Sequence, residues 1–99
     1  MAKKLKPIHP GEMLREEFMI PLGLSSNALA RAIGVTPARV NDIVRERRGI
    51  TADTALRFAR YFGTSHDFWM NLQSHYDVLV AINAAGRTIS HIKPMAKAA

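Results

Sequence analysis

Helix-capping residues recur along this chain at intervals that leave room only for brief helices. A Ser or Thr able to start a helix is followed by a Gly able to end one: Ser25 or Ser26 before Gly34, Thr51 before Gly63, Thr64 or Ser65 before Gly86. The hydroxyl accepts one of the N–H groups that a first turn leaves unpaired, and Gly adopts the left-handed backbone that closes a helix. Between these marks apolar residues fall three and four apart, the helical period. The only stretch that reads as a strand is Thr88-Ile89-Ser90-His91-Ile92. The fold class that follows is all-α.

Five helices are predicted. The first runs from about Pro10 to Ile20 and ends at Pro21 and Gly23, with Met13, Leu14 and Phe18 inward and Leu22 continuing the stripe. The second runs from Ser25 or Ser26 to Ile33 and buries Leu29, Ala30 and Ile33. The third has Thr36 as its cap and Pro37 at its first position, and buries Val40, Ile43 and Val44. The fourth, from Thr51 to Phe62, buries Ala55, Leu56, Ala59 and Phe62. The fifth, the longest, spans about 65–84, with Phe68, Trp69, Leu72, Tyr76, Leu79 and Val80 along one side. Residues 1–86 are expected to form one domain and residues 87–99 a tail.

Charge narrows the function. The net charge of the 99 residues is +6, which points to an anionic partner. Half of that excess lies in residues 25–50, where Arg31, Arg39, Arg45, Arg47 and Arg48 face only Asp42 and Glu46. There is no cysteine, so disulfides and cysteine-based zinc sites are excluded. The basic start, Met1-Ala2-Lys3-Lys4-Leu5-Lys6, lacks the apolar run of a secretory signal, and no segment is apolar enough for a membrane span. A soluble, cytoplasmic protein that does not engage a membrane is expected.

The second and third helices, joined by Gly34-Val35-Thr36, have the form of a helix-turn-helix unit over 25–45. Small Ala30 lets the helices approach, Gly34 can take positive φ, and Val35 and Val40 fill the wedge. The outer face of the third helix is small or polar, as entry into a DNA groove requires: Thr36, Ala38, Arg39, Asn41, Asp42 and Arg45. The N-terminus of the second helix, with the Ser25 and Ser26 hydroxyls, suits a phosphate. Arg45, Arg47 and Arg48 offer cationic contacts that fix register without reading sequence. Asn41 can pair with adenine, and Arg39 projects from the same helix. Asp42 either accepts from a cytosine amine or forms an ion pair with Arg45 or Arg39 and only positions them; the ion pair is the simpler reading.

The run from Leu24 to Thr36, continued by Thr54-Ala55-Leu56-Arg57-Phe58-Ala59-Arg60-Tyr61-Phe62-Gly63, resembles the lambda repressor-like, or XRE-type, helix-turn-helix family. Three further stretches narrow the resemblance to the HigA-type (VapI-type) antitoxins: His9 to Phe18, Gly49 to Ala55, and Phe68-Trp69-Met70-Asn71-Leu72-Gln73. The resemblance implies a five-helix DNA-binding domain. It places Thr36, Pro37, Ala38, Asn41 and Asp42 over base edges, and Ser25, Ser26 and the loop after the third helix on phosphates. Many members of that family have Gln where Ser26 stands, so the shorter Ser26 is assigned to a phosphate. The resemblance further implies repression of its own operon and neutralisation of a HigB-like toxin, an mRNA-cleaving ribonuclease. The alternative is a stand-alone transcriptional repressor, with an RNA-binding or accessory role a distant third.

Other conspicuous residues have plainer readings. His9, His66, His75 and His91 fit no short metal-ligand spacing, and His9 and His66 sit at helix starts. Glu16 and Glu17, as neighbours on a helix, diverge by ~100° and make no catalytic pair. No nucleophile–base set or phosphate loop is present, so neither enzymatic activity nor a cofactor is expected. The later part of the fifth helix, with Tyr76, Leu79, Val80 and Asn83, extends beyond what four short helices cover. It is expected to build a homodimer that reads a palindromic operator, rather than fold back on its own core.

Overall fold

The computed structural model describes residues 5–96; the basic start over 1–4 and the end of the expected tail, 97–99, lie outside the described residues. Helix α1 covers 10–22 as an α-turn Pro10–Met13, a π-helical stretch Leu14–Met19 and a closing turn Ile20–Leu22. Then follow α2 (Ser26–Ile33), α3 (Pro37–Val44), α4 (Ala52–Phe62) and α5 (His66–Ser90). No described residue is in a strand.

The Ser/Thr capping logic holds at the starts of α2 to α5, while His9 caps α1. Ser25, Thr36, Thr51 and Ser65 are N-caps whose side chains accept from Ala28, Arg39, Thr54 and Phe68 N–H groups. Gly34 and Gly63 close α2 and α4 at φ 74° and 75°. Thr64, beside the Ser65 cap, accepts instead from the Trp69 indole N–H at 2.8 Å. Four expectations from the sequence shift, each for a local reason.

Pro21 does not end α1, which continues to Leu22 and closes at Gly23 with φ 60°. Proline inside an α-helix clashes with the carbonyl four residues back; here the turn before it is widened, with Ile20 N–H donating to the Arg15 carbonyl. The wider turn also changes which side chains face inward. Met19 returns to the side of Leu14 and is buried, while Leu22 is 65% exposed. In α4 the buried aromatic is Phe58, and Leu56 lies outside at 57% exposure.

The third shift is at the C-terminus. Gly86 does not break α5, which runs through 87–90 to Ser90 with His91 as C-cap; the expected strand over 88–92 is absent. A single interior Gly costs only about 1 kcal/mol relative to Ala, and here it follows Ala84 and Ala85, the best helix formers. The fourth concerns the salt bridges of α3, described below.

The core is Leu14, Met19, Leu29, Ala30, Ile33, Val40, Ile43, Ile50, Ala55, Phe58 and Trp69. Trp69 is its largest fully buried side chain, with Phe58 and Phe18 rings at 4.9 and 5.0 Å. It is also the only buried residue of the 25 in α5. Phe68, Met70 and Leu72 pack against that core, and the later part of the helix, ~1.5 Å per residue, extends past it; the longest extent of the structure is 53 Å. Among the described residues, no helix is long and apolar enough to cross a membrane.

Candidate nucleic-acid interface

The helix-turn-helix unit begins with close packing. Ala30 is fully buried at the α2–α3 contact, and Val40 and Ile43 fill the inner face of α3. From the other side, the first turn of α1 presses on α3: a methyl on Gly11 would overlap the Ile43 carbonyl oxygen. His9 sets that turn. It is 4% exposed, and its Nδ1 accepts from Gly11 N–H at 2.8 Å while its ring meets Tyr76 edge-on at 4.8 Å. Burial holds the His9 imidazole below its ordinary pKa of 6.5, against the opposing pull of Glu46 and Asp77.

Two arginines hold the unit from outside its sequence. Arg57 of α4 donates through Nη1 to the Ile33 carbonyl at 2.7 Å and the Gly34 carbonyl at 3.3 Å, and through Nε to Asp53 at 2.9 Å. It thereby pairs carbonyls that the end of α2 leaves free. Arg15 of α1 does the same for α3, donating to the Val44 carbonyl at 2.6 Å. Its guanidinium also meets Glu16 and Glu46, which raise its already high pKa. Asp53 receives Arg57 and Arg39 together, and these, Arg57 first, hold its carboxyl below the usual carboxylate range. None of these anchors was assigned from sequence. Arg57 stands four residues after Asp53, the spacing of a helical ion pair, which is the one local sign of it.

Mounted this way, α3 presents a polar outer face. Thr36, Pro37 and Ala38 are exposed at its N-terminal end, with Asn41 and Asp42 half-exposed behind them. Arg39 is half-buried and turned to Asp53 at 3.3 Å. Asp42 pairs with neither Arg39 nor Arg45: its partner is Arg47, at 3.0 Å. The reason is the turn after α3, where Glu46 takes φ 63° and Arg47 N–H donates to the Asp42 carbonyl, folding Arg47 back over α3. Arg45 and Arg48 are exposed and form no ion pair among the described residues.

At the neighbouring helix start, Ser25 spends a lone pair on Ala28 N–H, which leaves its hydroxyl proton for an outside acceptor. Ser26 sits half-buried beside it in the first turn, where backbone N–H groups have no helical partner. Serine hydroxyls, free arginines and a small polar helix face thus lie on contiguous elements of α2, α3 and the following loop. That set can bind phosphates on either side of a groove and meet base edges between them.

The four residues expected at a dimer contact are divided. Tyr76 packs on His9, and Asn83 Nδ2 donates to the Leu5 carbonyl at 2.9 Å, so both engage the chain's own N-terminal segment. Leu79 is half-buried and Val80 is 41% exposed. Val78, Ile82 and Ile89 are further exposed aliphatics of the projecting helix. No cluster of three or more His, Asp or Glu suited to a metal occurs among the described residues.

Comparison with known proteins agrees with this geometry. The helix-turn-helix family model HTH_3 matches residues 14–69. Virulence-associated protein I of Dichelobacter nodosus is 58% identical over 78 residues, which cover 79% of this chain and 72% of that protein. Antitoxin HigA-1 of Vibrio cholerae is 34% identical over 92 residues, 93% of this chain and 87% of that one. Among solved structures, the Pseudomonas aeruginosa antitoxin HigA with the higBA promoter superposes with a TM-score of 0.87 at 55% identity, covering 91% of this chain and 99% of that one.

Proposed function

Because this chain belongs to the helix-turn-helix family that also holds the HigA antitoxins, we propose that it is an operator-binding antitoxin that represses its own operon and neutralises a HigB-like toxin. The observation that carries the reading is its likeness, over nearly the whole chain, to an antitoxin solved with the higBA promoter. In this reading 25–45 is the reading head. Thr36, Pro37, Ala38 and Asn41 meet base edges, and Ser25, Ser26, Arg45 and Arg48 meet phosphates. Arg39, Asp42 and Arg47 reach DNA only by exchanging their present ion-pair partners.

A single reading head has a small footprint, so two copies act together, paired through the projecting part of α5 with Leu79 and Val80 in the contact. Their recognition helices then lie ~34–36 Å apart, or a multiple of it, on an inverted repeat. The protein works in the cytoplasm, and the toxin is the mRNA-cleaving ribonuclease that the resemblance implies.

The test has two arms. Fluorescence anisotropy on the chain's own promoter and on a scrambled duplex is expected to show clear preference for the promoter; equal affinity for both sinks the reading. Expression of the adjacent reading frame alone is expected to arrest growth, and co-expression with this chain to restore it. Promoter preference without a toxic neighbour makes the chain a stand-alone repressor instead.

A further inference from the structure

The loop that carries Arg47 and Arg48 is tied to α5 by one side chain. Ile50 is 4% exposed, and its burial draws its own backbone N–H out of water. That N–H donates to the Gln73 Oε1 at 2.6 Å. The Gln73 Nε2 in turn donates to the Asp77 carboxylate, one helical turn on, at 2.9 Å. The second bond sets the polarity of the first. An unrestrained amide can present either end to Ile50; with Nε2 held by Asp77, Oε1 must face the loop.

Gly49 completes the arrangement. Its φ is not in the left-handed region, so the glycine is not there for backbone freedom. It is there for space: a methyl would stand 2.8 Å from Gln73 Oε1 and 3.0 Å from both Cδ and Nε2. The Gln73 amide thus lies close beside Gly49, the residue after Arg48. These residues wall an open cleft of about 550 Å³ between the loop and α5.

We propose that Gln73, oriented by Asp77, is a positioning residue for DNA binding: it fixes the 48–50 loop so that Arg48 meets a phosphate with little ordering left to do. The helix that carries the dimer contact therefore also sets the affinity of the reading head. This rests on the reading of Arg48 as a phosphate contact. A flexible loop must be ordered on binding, and one whose backbone is already held at Ile50 has lost that freedom beforehand.

The experiment compares full-length wild type, Gln73→Met, Asp77→Ala and Arg48→Ala by fluorescence anisotropy on promoter and scrambled duplexes across a salt series. Exchange of the Ile50 amide is followed by NMR. Gln73→Met is expected to bind both duplexes about fivefold more weakly, the equivalent of one modest hydrogen bond, with faster Ile50 exchange. Its salt slope is expected to stay that of wild type, because Arg48 still reaches its phosphate in the complex, whereas Arg48→Ala loses about one contact per half-site. Unchanged affinity despite faster Ile50 exchange overturns the proposal.

Asp77→Ala decides the matter even if Gln73→Met fails to fold. Removing a carboxylate strengthens DNA binding if only charge counts, and weakens it if orientation of Gln73 counts; a strengthened complex overturns the proposal. Arg48→Ala separates the two levels. If it binds like wild type, the phosphate reading of the loop fails and the proposal with it. If it binds weakly while Gln73→Met does not, the proposal alone fails.

Discussion

Arg57→Ala removes the clamp between α4 and the turn of the reading unit, and its effect can be worked from the geometry. The 2.7 Å bond to the Ile33 carbonyl is charge-assisted and half-buried, a class worth ~1.5–3 kcal/mol. Its partial exposure argues for the lower end. The 3.3 Å bond to Gly34 is long, and the ion pair with exposed Asp53 adds little in solvent. The expected loss is therefore about 2 kcal/mol, because the Ile33 carbonyl is left without its protein donor. For a domain of this size that corresponds to a fall in Tm of roughly 8–16 °C. Calorimetry with matching urea melts measures it. Arg57→Lys retains the charge but cannot reach two carbonyls and a carboxylate with one planar group, so it is expected to recover less than half of the loss. Because the freed turn orients α3, promoter affinity should fall more than affinity for random DNA. A Tm within about 2 °C of wild type for Arg57→Ala refutes the clamp, since a satisfied carbonyl cannot be deprived of its donor at so small a cost.

Asn41→Ala is expected to cost roughly 1–3 kcal/mol on the promoter and little on random DNA; an unchanged motif from a binding-site selection removes Asn41 from base reading. Leu79→Glu with Val80→Glu should sediment as a folded monomer with reduced promoter affinity, and a folded double mutant that stays dimeric moves the contact elsewhere on the surface. For His9 the sign follows from its lowered folded-state pKa: below about 6.5 the unfolded chain binds the proton more readily than the folded one. Stability should be flat above that pH, decline as pH falls through 6.5 toward the folded-state pKa, and lose that part of its slope in His9→Asn, which can still cap. An identical pH slope in the variant assigns the effect to other groups.

Helix starts were legible because a cap is a local event. Ser25, Thr36, Thr51 and Ser65 each satisfy a donor three residues away, so the sequence window that contains the residue also contains its partner. Helix phase and helix ends were less legible because they depend on neighbours. A 3.6-residue count cannot foresee the widened turn that accommodates Pro21 and buries Met19. Nor does a single Gly announce whether it will close a helix, as Gly34 does at positive φ, or ride inside one, as Gly86 does. Gly is cheap in both settings, and the outcome turns on what precedes and follows it.

The outer face of α3 was legible for a similar reason: Ala38 and Asn41 lie on one short helix with Thr36 as its cap, and periodicity alone puts them on its outer side. What holds that face in place was not. Arg15 reaches across 29 residues to Val44, Arg57 across 24 to Ile33, and Gln73 across 23 to Ile50. Each pairs a backbone group stranded where a regular element ends or a loop turns inward. A chain of short helices has many such ends for its length, and short side chains cannot span from one helix axis to the next terminus. Long polar side chains on adjacent helices are the available donors and acceptors, so in a fold of this kind an arginine or glutamine on an inner edge does as much to shape the helix-turn-helix unit as the residues of the unit itself. Charge counting over 25–50 found the cations that face outward. It could not separate them from those, such as Arg39 and Arg47, that the fold turns onto its own carboxylates.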